Sequence, residues 1–194
     1  QREDVRFRLG QARADAFDLI PTLGHALSLT DGMDALRAAL AHLQASGDLE
    51  KDRLLLTGAA AVFAAAWTRL VAGQPPIEPH PSLSHAADYV RMVTGRPPAE
   101  PLVQGLDSYL CCVVDHGLNA STLAARVVAS TGSDLVSAVV AAVGALKGPL
   151  HGGAPGPVLE MLDAIATADR ARSRLAAEIA AGRRIMGKGQ RAVS

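Results

Sequence analysis

Apolar side chains recur at the three- and four-residue spacing of an α-helix along most of the chain. Sustained alternation of apolar and polar residues, which is typical of half-buried strands, is missing from the sequence. The pattern therefore predicts an all-α fold with about nine helices. The predicted helical segments are residues 16–29 (interrupted by Pro21), 33–43, 54–71, 85–94, 102–115, 123–130, 135–146, 158–167 and 168–181.

Polar residues that cap helix N-termini precede several of these segments; the candidates are Thr30 or Asp31, Asp48 or Asp52, Ser82 or Ser84, and Asp134. Residues 73–81 contain four prolines and predict an extended connector. The first ten residues are charged and show no cap, so we expect the sequence to begin within an element.

Composition narrows the function classes. Of 194 residues, 49% are hydrophobic but only 3% aromatic, which favours closely packed alanine- and leucine-rich helices. Lys+Arg and Asp+Glu are equal at 19 each, so no overall field would attract nucleic acid or a membrane surface. The longest apolar stretch, residues 135–146, is too short to span a bilayer, which predicts a soluble protein.

The two cysteines, Cys111 and Cys112, are adjacent in an apolar segment. Neighbouring cysteines cannot build a disulfide framework, so we expect buried thiols in a reducing, cytoplasmic compartment. Trp67, near the end of its helix, is expected to be a packing anchor, and His42 a surface histidine without a role.

Two histidines lie at turns between predicted helices and are the candidates for chemistry. His116 lies in Asp115-His-Gly-Leu-Asn-Ala-Ser-Thr122, and His151 lies in Gly144-Ala-Leu-Lys-Gly-Pro-Leu-His-Gly-Gly-Ala-Pro-Gly-Pro-Val158. Gly152 and Gly153 would permit positive φ and let a ligand approach the backbone. A neutral imidazole can donate a hydrogen bond to a developing enolate oxygen.

These turns have four other interpretations. A surface αα-hairpin needs no ligand at all. A metal site would need further ligands at regular spacing, and His80 and His85 are separated by proline, so no metal is expected. A Ser-His-Asp hydrolase through Ser121 lacks the strand-turn-helix elbow for its nucleophile. The two glycines match neither phosphate-binding fingerprint.

Six segments, taken in order, resemble the citrate synthase family. They are Asp31-Gly-Met-Asp-Ala-Leu-Arg37, Pro81-Ser-Leu-Ser-His-Ala-Ala87, the turn 115–122, Ala-Arg-Val-Val-Ala-Ser-Thr131, residues 144–154 and Arg184-Ile-Met-Gly187. The resemblance spans nearly the whole chain. It implies a helical large domain at residues 1–181, with residues 182–194 beginning the loop toward a small domain that the sequence largely lacks.

The resemblance also implies an activity, the condensation of acetyl-CoA with oxaloacetate to citrate and CoA. His151 would stabilise the acetyl-CoA enol, and His116, with Asn119 and Ser121 beside it, would bind oxaloacetate. Gly187, Lys188 and Gly189 would lie in the loop that contacts CoA. A CoA thioester is then a co-substrate, no resident cofactor is expected, and the family's homodimers lead us to expect one here. We expect the alanine-rich segments 54–71 and 135–146 to supply exposed apolar surface for it.

The sequence departs from the family pattern at three points. Gln190 stands where the family has a second active-site histidine, and Pro155-Gly156 replaces the usual Asn-Glu after the His151 turn. The family's catalytic aspartate and its later arginines would lie beyond Ser194. Either the chain is divergent or truncated, or residues are missing and Arg191 resembles the family's substrate-binding arginine.

These departures leave three functional hypotheses. The intact protein is a citrate synthase, a 2-methylcitrate synthase that uses propionyl-CoA, or a non-catalytic paralogue that acts as a dimerisation or ligand-sensing module. The 194-residue chain alone is expected to be inactive, because general-base catalysis typically contributes ~10²–10⁴-fold.

Overall fold

A computed structural model describes residues 2–115, 117–152 and 155–182 of the chain. The described residues form nine α-helices and two short 3-10 helices, Ile20–Thr22 and Ala26–Ser28, and contain no strand. This confirms the predicted all-α fold. The helices are α1 (Arg2–Asp18), α2 (Gly32–Leu40), α3 (Leu49–Val71), α4 (His85–Thr94), α5 (Glu100–Val113), α6 (Ala120–Ser130), α7 (Leu135–Leu146), α8 (Pro155–Ile165) and α9 (Ala168–Ala180).

Several helices begin at the capping residues that the sequence offers. Asp31 caps α2, its side chain accepting a hydrogen bond from the Asp34 amide at 2.9 Å, and Ser84 caps α4 in the same way. Asp48 accepts from two amides of the first turn of α3. Asp134 accepts from the Ser137 amide and hydroxyl, and these hydrogen bonds lower the pKa of its carboxyl group.

The prediction of a helix over residues 16–29 is wrong. α1 ends at Asp18, and the chain then makes two 3-10 turns around Pro21, with Gly24 at a positive φ of 57° between them. α1 itself was missed because its buried face carries small residues and a charge, namely Ala12, Arg13 and Ala16, rather than large apolar side chains.

α3 is the centre of the first of two compact units, Gln1–Ala145. It packs against α1, α2 and α4, and its alanine-rich faces are buried in these contacts. At Gly58 a Cβ would lie 2.9 Å from backbone atoms of Ala12 and Arg13, so α1 and α3 approach each other at this glycine. Trp67 packs against the core and its Nε1 donates to the Leu29 carbonyl at 2.9 Å, which confirms its predicted packing role.

The proline-rich connector between α3 and α4 is held by a buried ion pair. Arg13 of α1 donates through Nε to Asp88 of α4 at 2.8 Å, and both side chains are almost completely buried. Asp88 also accepts from the His80 amide at 3.0 Å, and Arg13 donates to the carbonyls of His80 and Leu83. The pair therefore fixes both the connector and the angle at which α4 leaves it.

His85, the first residue of α4, lies beside this pair. Its Nδ1 is 3.5 Å from Nη1 of Arg13. Burial and the Arg13 guanidinium lower the pKa of His85, partly opposed by the carboxylates of Asp88 and Asp107. A neighbouring cation also disfavours metal binding at His85.

Among the described residues, α3 is the one helix long and apolar enough to cross a membrane, by length and composition. The sequence pattern did not identify α3 as a candidate membrane span, because the predicted helix begins only at residue 54 and contains Arg69. Half of its most apolar window is buried within the chain, and Asp52 and Arg69 lie buried along it. These are features of a core helix.

The apolar surface lies elsewhere than predicted. On α3 the exposed large apolar residues are at its ends, and α7 shows none along its described length. Eight exposed large apolar residues lie on α5, on α6 and in the segment between them, namely Leu102, Tyr109, Leu110, Val113, Val114, Leu118, Leu123 and Val127. Others are Val5, Phe7, Leu150, Leu159, Leu162 and Ile179. α5 packs on α4 but buries none of its residues fully, so Cys111 and Cys112 are exposed, and the prediction of buried thiols is wrong.

The second compact unit is Leu146–Ser194, and its described helices α8 and α9 pack against each other. α9 follows α8 after two residues, with Ala166 at a positive φ of 60° in the turn. The predicted domain division at residues 181 and 182 falls at the edge of the described residues and stays a prediction.

Candidate active site

The turn before α6 holds two of the predicted substrate-binding residues in one hydrogen-bonded arrangement. Asn119 is the N-cap of α6, where its side-chain oxygen accepts from the Thr122 amide at 2.9 Å and from the Ser121 hydroxyl at 2.7 Å. The cap fixes both side chains relative to the first turn of the helix, and such a helix end attracts anions.

The described residues on either side of position 116 are joined by a hydrogen bond. Asp115 accepts a hydrogen bond from the Gly117 amide at 2.9 Å, and Gly117 has a positive φ of 62°. His116, between them, lies outside the described residues, so its predicted role in binding oxaloacetate stays a prediction.

His151 lies in a turn that is closed by two backbone hydrogen bonds. The His151 amide donates to the Gly148 carbonyl at 2.9 Å, so residues 148–151 form a β-turn with Pro149 at its second position, where proline is favoured. The Gly152 amide donates to the carbonyl of Leu146, the last residue of α7, at 2.8 Å. His151 is therefore fixed between a proline turn and a helix end, and its side chain is partly exposed.

Gly152 is a glycine for a reason that differs from the predicted one. Its φ is outside the left-handed region, and the atoms that approach it belong to Leu146. A Cβ at position 152 would overlap the Leu146 carbonyl oxygen and lie 3.0 Å from the Leu146 Cγ. The sequence singled out the glycine pair but did not predict the contact with Leu146, because this contact joins two residues six positions apart.

The other predicted site residues lie outside the described part of the chain. They are Gly187, Lys188, Gly189 and Arg191, with Gln190 among them, and their roles stay predictions. Asn119 and Ser121 belong to the first compact unit and His151 to the second, so each cluster is described separately. Within residues 2–115, 117–152 and 155–182, no three His, Cys, Asp or Glu side chains are grouped to hold a metal ion.

The fold and these turns define an all-helical protein whose candidate reactive groups lie at helix-to-helix turns. A family model described as "Citrate synthase, C-terminal domain" matches residues 1–194. The chain therefore belongs to the citrate synthase family.

Proteins similar to this chain agree with this assignment. A 2-methylcitrate synthase of Mycobacterium tuberculosis is 36% identical over 198 residues, covering 98% of this chain and 49% of its own length. The crystal structure of citrate synthase from Pyrobaculum aerophilum superposes with a TM-score of 0.80 at 32% identity, covering 97% of this chain and 52% of that one.

A third similar protein was solved with ligands. It is the citrate synthase from the archaeon Thermoplasma acidophilum in a ternary complex with carboxymethyl coenzyme A and oxaloacetate, with a TM-score of 0.77 and 25% identity over 92% of this chain. The chain spans about half the length of each of these three relatives.

Proposed function

We propose that the intact protein is an acyltransferase of the citrate synthase type, which condenses acetyl-CoA with oxaloacetate and releases citrate and CoA. The observation that carries the proposal is the closed turn at His151, because it presents one histidine at a fixed place in a chain of this family. The solved complex of a relative with a CoA analogue and oxaloacetate supports the choice of substrates.

In this proposal a base removes a proton from the thioester methyl group, and His151 donates a hydrogen bond to the enol oxygen that forms. The enol carbon then attacks the carbonyl carbon of oxaloacetate and forms a C–C bond, while the thioester C=O is restored. The C=O π bond of oxaloacetate opens, and its oxygen takes up a proton to become the hydroxyl group of citrate. Water hydrolyses the resulting thioester to citrate and CoA. A preorganised donor at a developing oxyanion is worth about 10²–10³ in rate.

Oxaloacetate would be bound by His116, Asn119 and Ser121, and by Arg191 if that residue matches the family's substrate arginine. The positive end of α6 lies at Asn119 and Ser121 and favours a carboxylate there. The glycine-rich segment 187–189 would contact CoA.

We further propose that the 194-residue chain alone does not catalyse the condensation. We propose that the protein acts in the cytoplasm within the tricarboxylic acid cycle.

The alternative substrate is propionyl-CoA, which would make the protein a 2-methylcitrate synthase. The Mycobacterium tuberculosis relative of that name, which matches 98% of this chain, is the observation that favours it. The non-catalytic alternative is favoured by Gln190 and by Pro155-Gly156, which depart from the family pattern.

One assay distinguishes the citrate synthase, the 2-methylcitrate synthase and the non-catalytic paralogue. The intact protein is mixed with oxaloacetate and either acetyl-CoA or propionyl-CoA, and free CoA thiol is followed over time. Thiol release that requires both substrates supports an enzyme, and the larger kcat/KM identifies the acyl chain. Binding of oxaloacetate without thiol release from either thioester would contradict the enzyme and favour the paralogue.

We propose in addition that the protein is a homodimer. The apolar side chains exposed on α5 and α6 support this, since single-copy proteins rarely leave large contiguous apolar surfaces in water. Light scattering on the intact protein during size-exclusion chromatography should give twice the mass of one chain. The mass of one chain at micromolar concentration would contradict it.

A further inference from the structure

The turn that carries His151 is held by one contact that leaves no room for a side chain. The Gly152 amide donates to the Leu146 carbonyl at 2.8 Å, and the Leu146 side chain covers the same side of the glycine. A Cβ on residue 152 would overlap that carbonyl oxygen and lie 3.0 and 3.1 Å from Cγ and Cδ1 of Leu146. Real Cβ atoms essentially never approach a backbone oxygen this closely, so the turn must move if residue 152 has one.

The backbone, rather than a movable side chain, is the main obstacle. Leu146 is the last residue of α7, and its carbonyl is one of the unsatisfied acceptors at a helix C-terminus. The Gly152 amide satisfies this carbonyl and closes a seven-residue loop from Leu146 to Gly152. The β-turn at residues 148–151 lies inside that loop, so a displacement at residue 152 is passed directly to His151.

We propose that Gly152 is a positioning residue for the proposed condensation: its missing side chain permits the contact with Leu146 that fixes the backbone carrying the His151 imidazole. The proposal rests on the proposed function for its kinetic consequence. Its structural part stands on the loop contacts alone. A displacement of about 1 Å in a reacting group can cost about 10²-fold in rate.

The chain offers two matched controls. Gly144 lies in α7, two residues before Leu146, and a Cβ there would make ordinary contacts with Arg37 at 3.8 and 3.9 Å. Gly156 lies in the first turn of α8, and a Cβ there would have nothing within 4 Å. Alanine at either position adds the same methyl group near the loop without touching the contact between Gly152 and Leu146.

The experiment compares Gly152→Ala with Gly144→Ala and Gly156→Ala in the intact protein. We expect Gly152→Ala to lower kcat at least about 10-fold, while its dissociation constant for oxaloacetate and its melting curve stay close to those of the parent. The two controls should keep the parent kcat. A purely structural role would lower stability and substrate affinity together rather than kcat alone.

Hydrogen exchange of the peptide covering residues 146–152 provides a readout that needs no activity. Gly152→Ala should speed exchange in this peptide, because the hydrogen bond from residue 152 to Leu146 is lost, and the controls should not. If the parent is inactive but the exchange changes as expected, the proposed function fails and the loop contact stands. Unchanged exchange in Gly152→Ala would overturn the inference in either case.

If Gly152→Ala does not fold, Pro149→Gly loosens the same loop without adding an atom. Removing the fixed φ of Pro149 widens the range of positions open to His151. This variant should also lower kcat more than it changes oxaloacetate affinity, by about threefold or more. The parent kcat in whichever of the two variants folds would overturn the inference.

Discussion

Asp88 is the buried carboxylate on which α1, α4 and the connector converge, and its replacement by alanine should be strongly destabilising. The change leaves the Arg13 guanidinium buried without its carboxylate, and it leaves the His80 amide without its acceptor. Breaking a buried ion pair from one side costs about 3–5 kcal/mol, and an orphaned buried donor about 1–3 kcal/mol. For a chain of this size each kcal/mol shifts Tm by roughly 2–4 °C, so Tm should fall by roughly 6 °C or more.

The assay is thermal unfolding followed by far-UV circular dichroism at one scan rate. Asp34→Ala is the matched control, because Asp34 pairs with Arg37, three residues later, at 3.1 Å, as Asp88 does with Arg91 at 2.9 Å, but both side chains of the Asp34 pair are partly exposed. Exposed pairs of this kind are worth about 0.2–1 kcal/mol. Asp88→Ala should therefore melt well below Asp34→Ala. A Tm for Asp88→Ala equal to that of the control would refute the assigned importance of the buried pair.

Two further predictions concern the same unit. Gly58→Ala should lower the free energy of unfolding by about 1–3 kcal/mol, measured in urea, because a Cβ at residue 58 would push α1 away from α3. Gly105→Ala on α5, where a Cβ would have nothing within 4 Å, should be neutral or stabilising. Equal urea midpoints for the two variants would contradict this. Burial and Arg13 lower the pKa of His85 in the folded chain below the ordinary histidine value of about 6.5. Between these two pKa values the unfolded chain binds more protons than the folded chain. Stability should therefore fall as pH drops below about 6.5, and less steeply in His85→Gln; parallel pH profiles would count against this.

Helices that carry their own signals could be predicted from sequence. α4 begins after Ser84 and ends before Gly95, at the predicted residues, because both capping interactions are local. α1 could not, because its buried face is built from small residues and Arg13, whose partner Asp88 is 75 positions away. No periodicity encodes such a pair.

In the candidate site, too, local features could be predicted from the sequence and contacts between separate elements could not. The turn at His151 and the polar cluster near Asn119 were predictable, since glycine, proline and polar residues mark turns locally. Asn119 was predicted to shape a pocket, and the structure adds that it caps α6. The positive φ predicted at Gly152 is wrong, and glycine is required there because the Leu146 carbonyl, placed by the end of α7, occupies the space of a Cβ. The approach of a ligand to this backbone stays a prediction.

The most direct test of the central claim is the effect of His151→Ala on CoA release by the intact protein, with acetyl-CoA, propionyl-CoA and oxaloacetate as substrates. His42→Ala is the control, because His42 is an exposed histidine in the turn after α2, where its ring nitrogen contacts the Ala38 carbonyl of that helix. We predict that His151→Ala lowers kcat by about 10²-fold or more with little change in oxaloacetate affinity, while His42→Ala keeps the parent rate. A His151→Ala variant with the parent kcat would contradict the role given to this histidine.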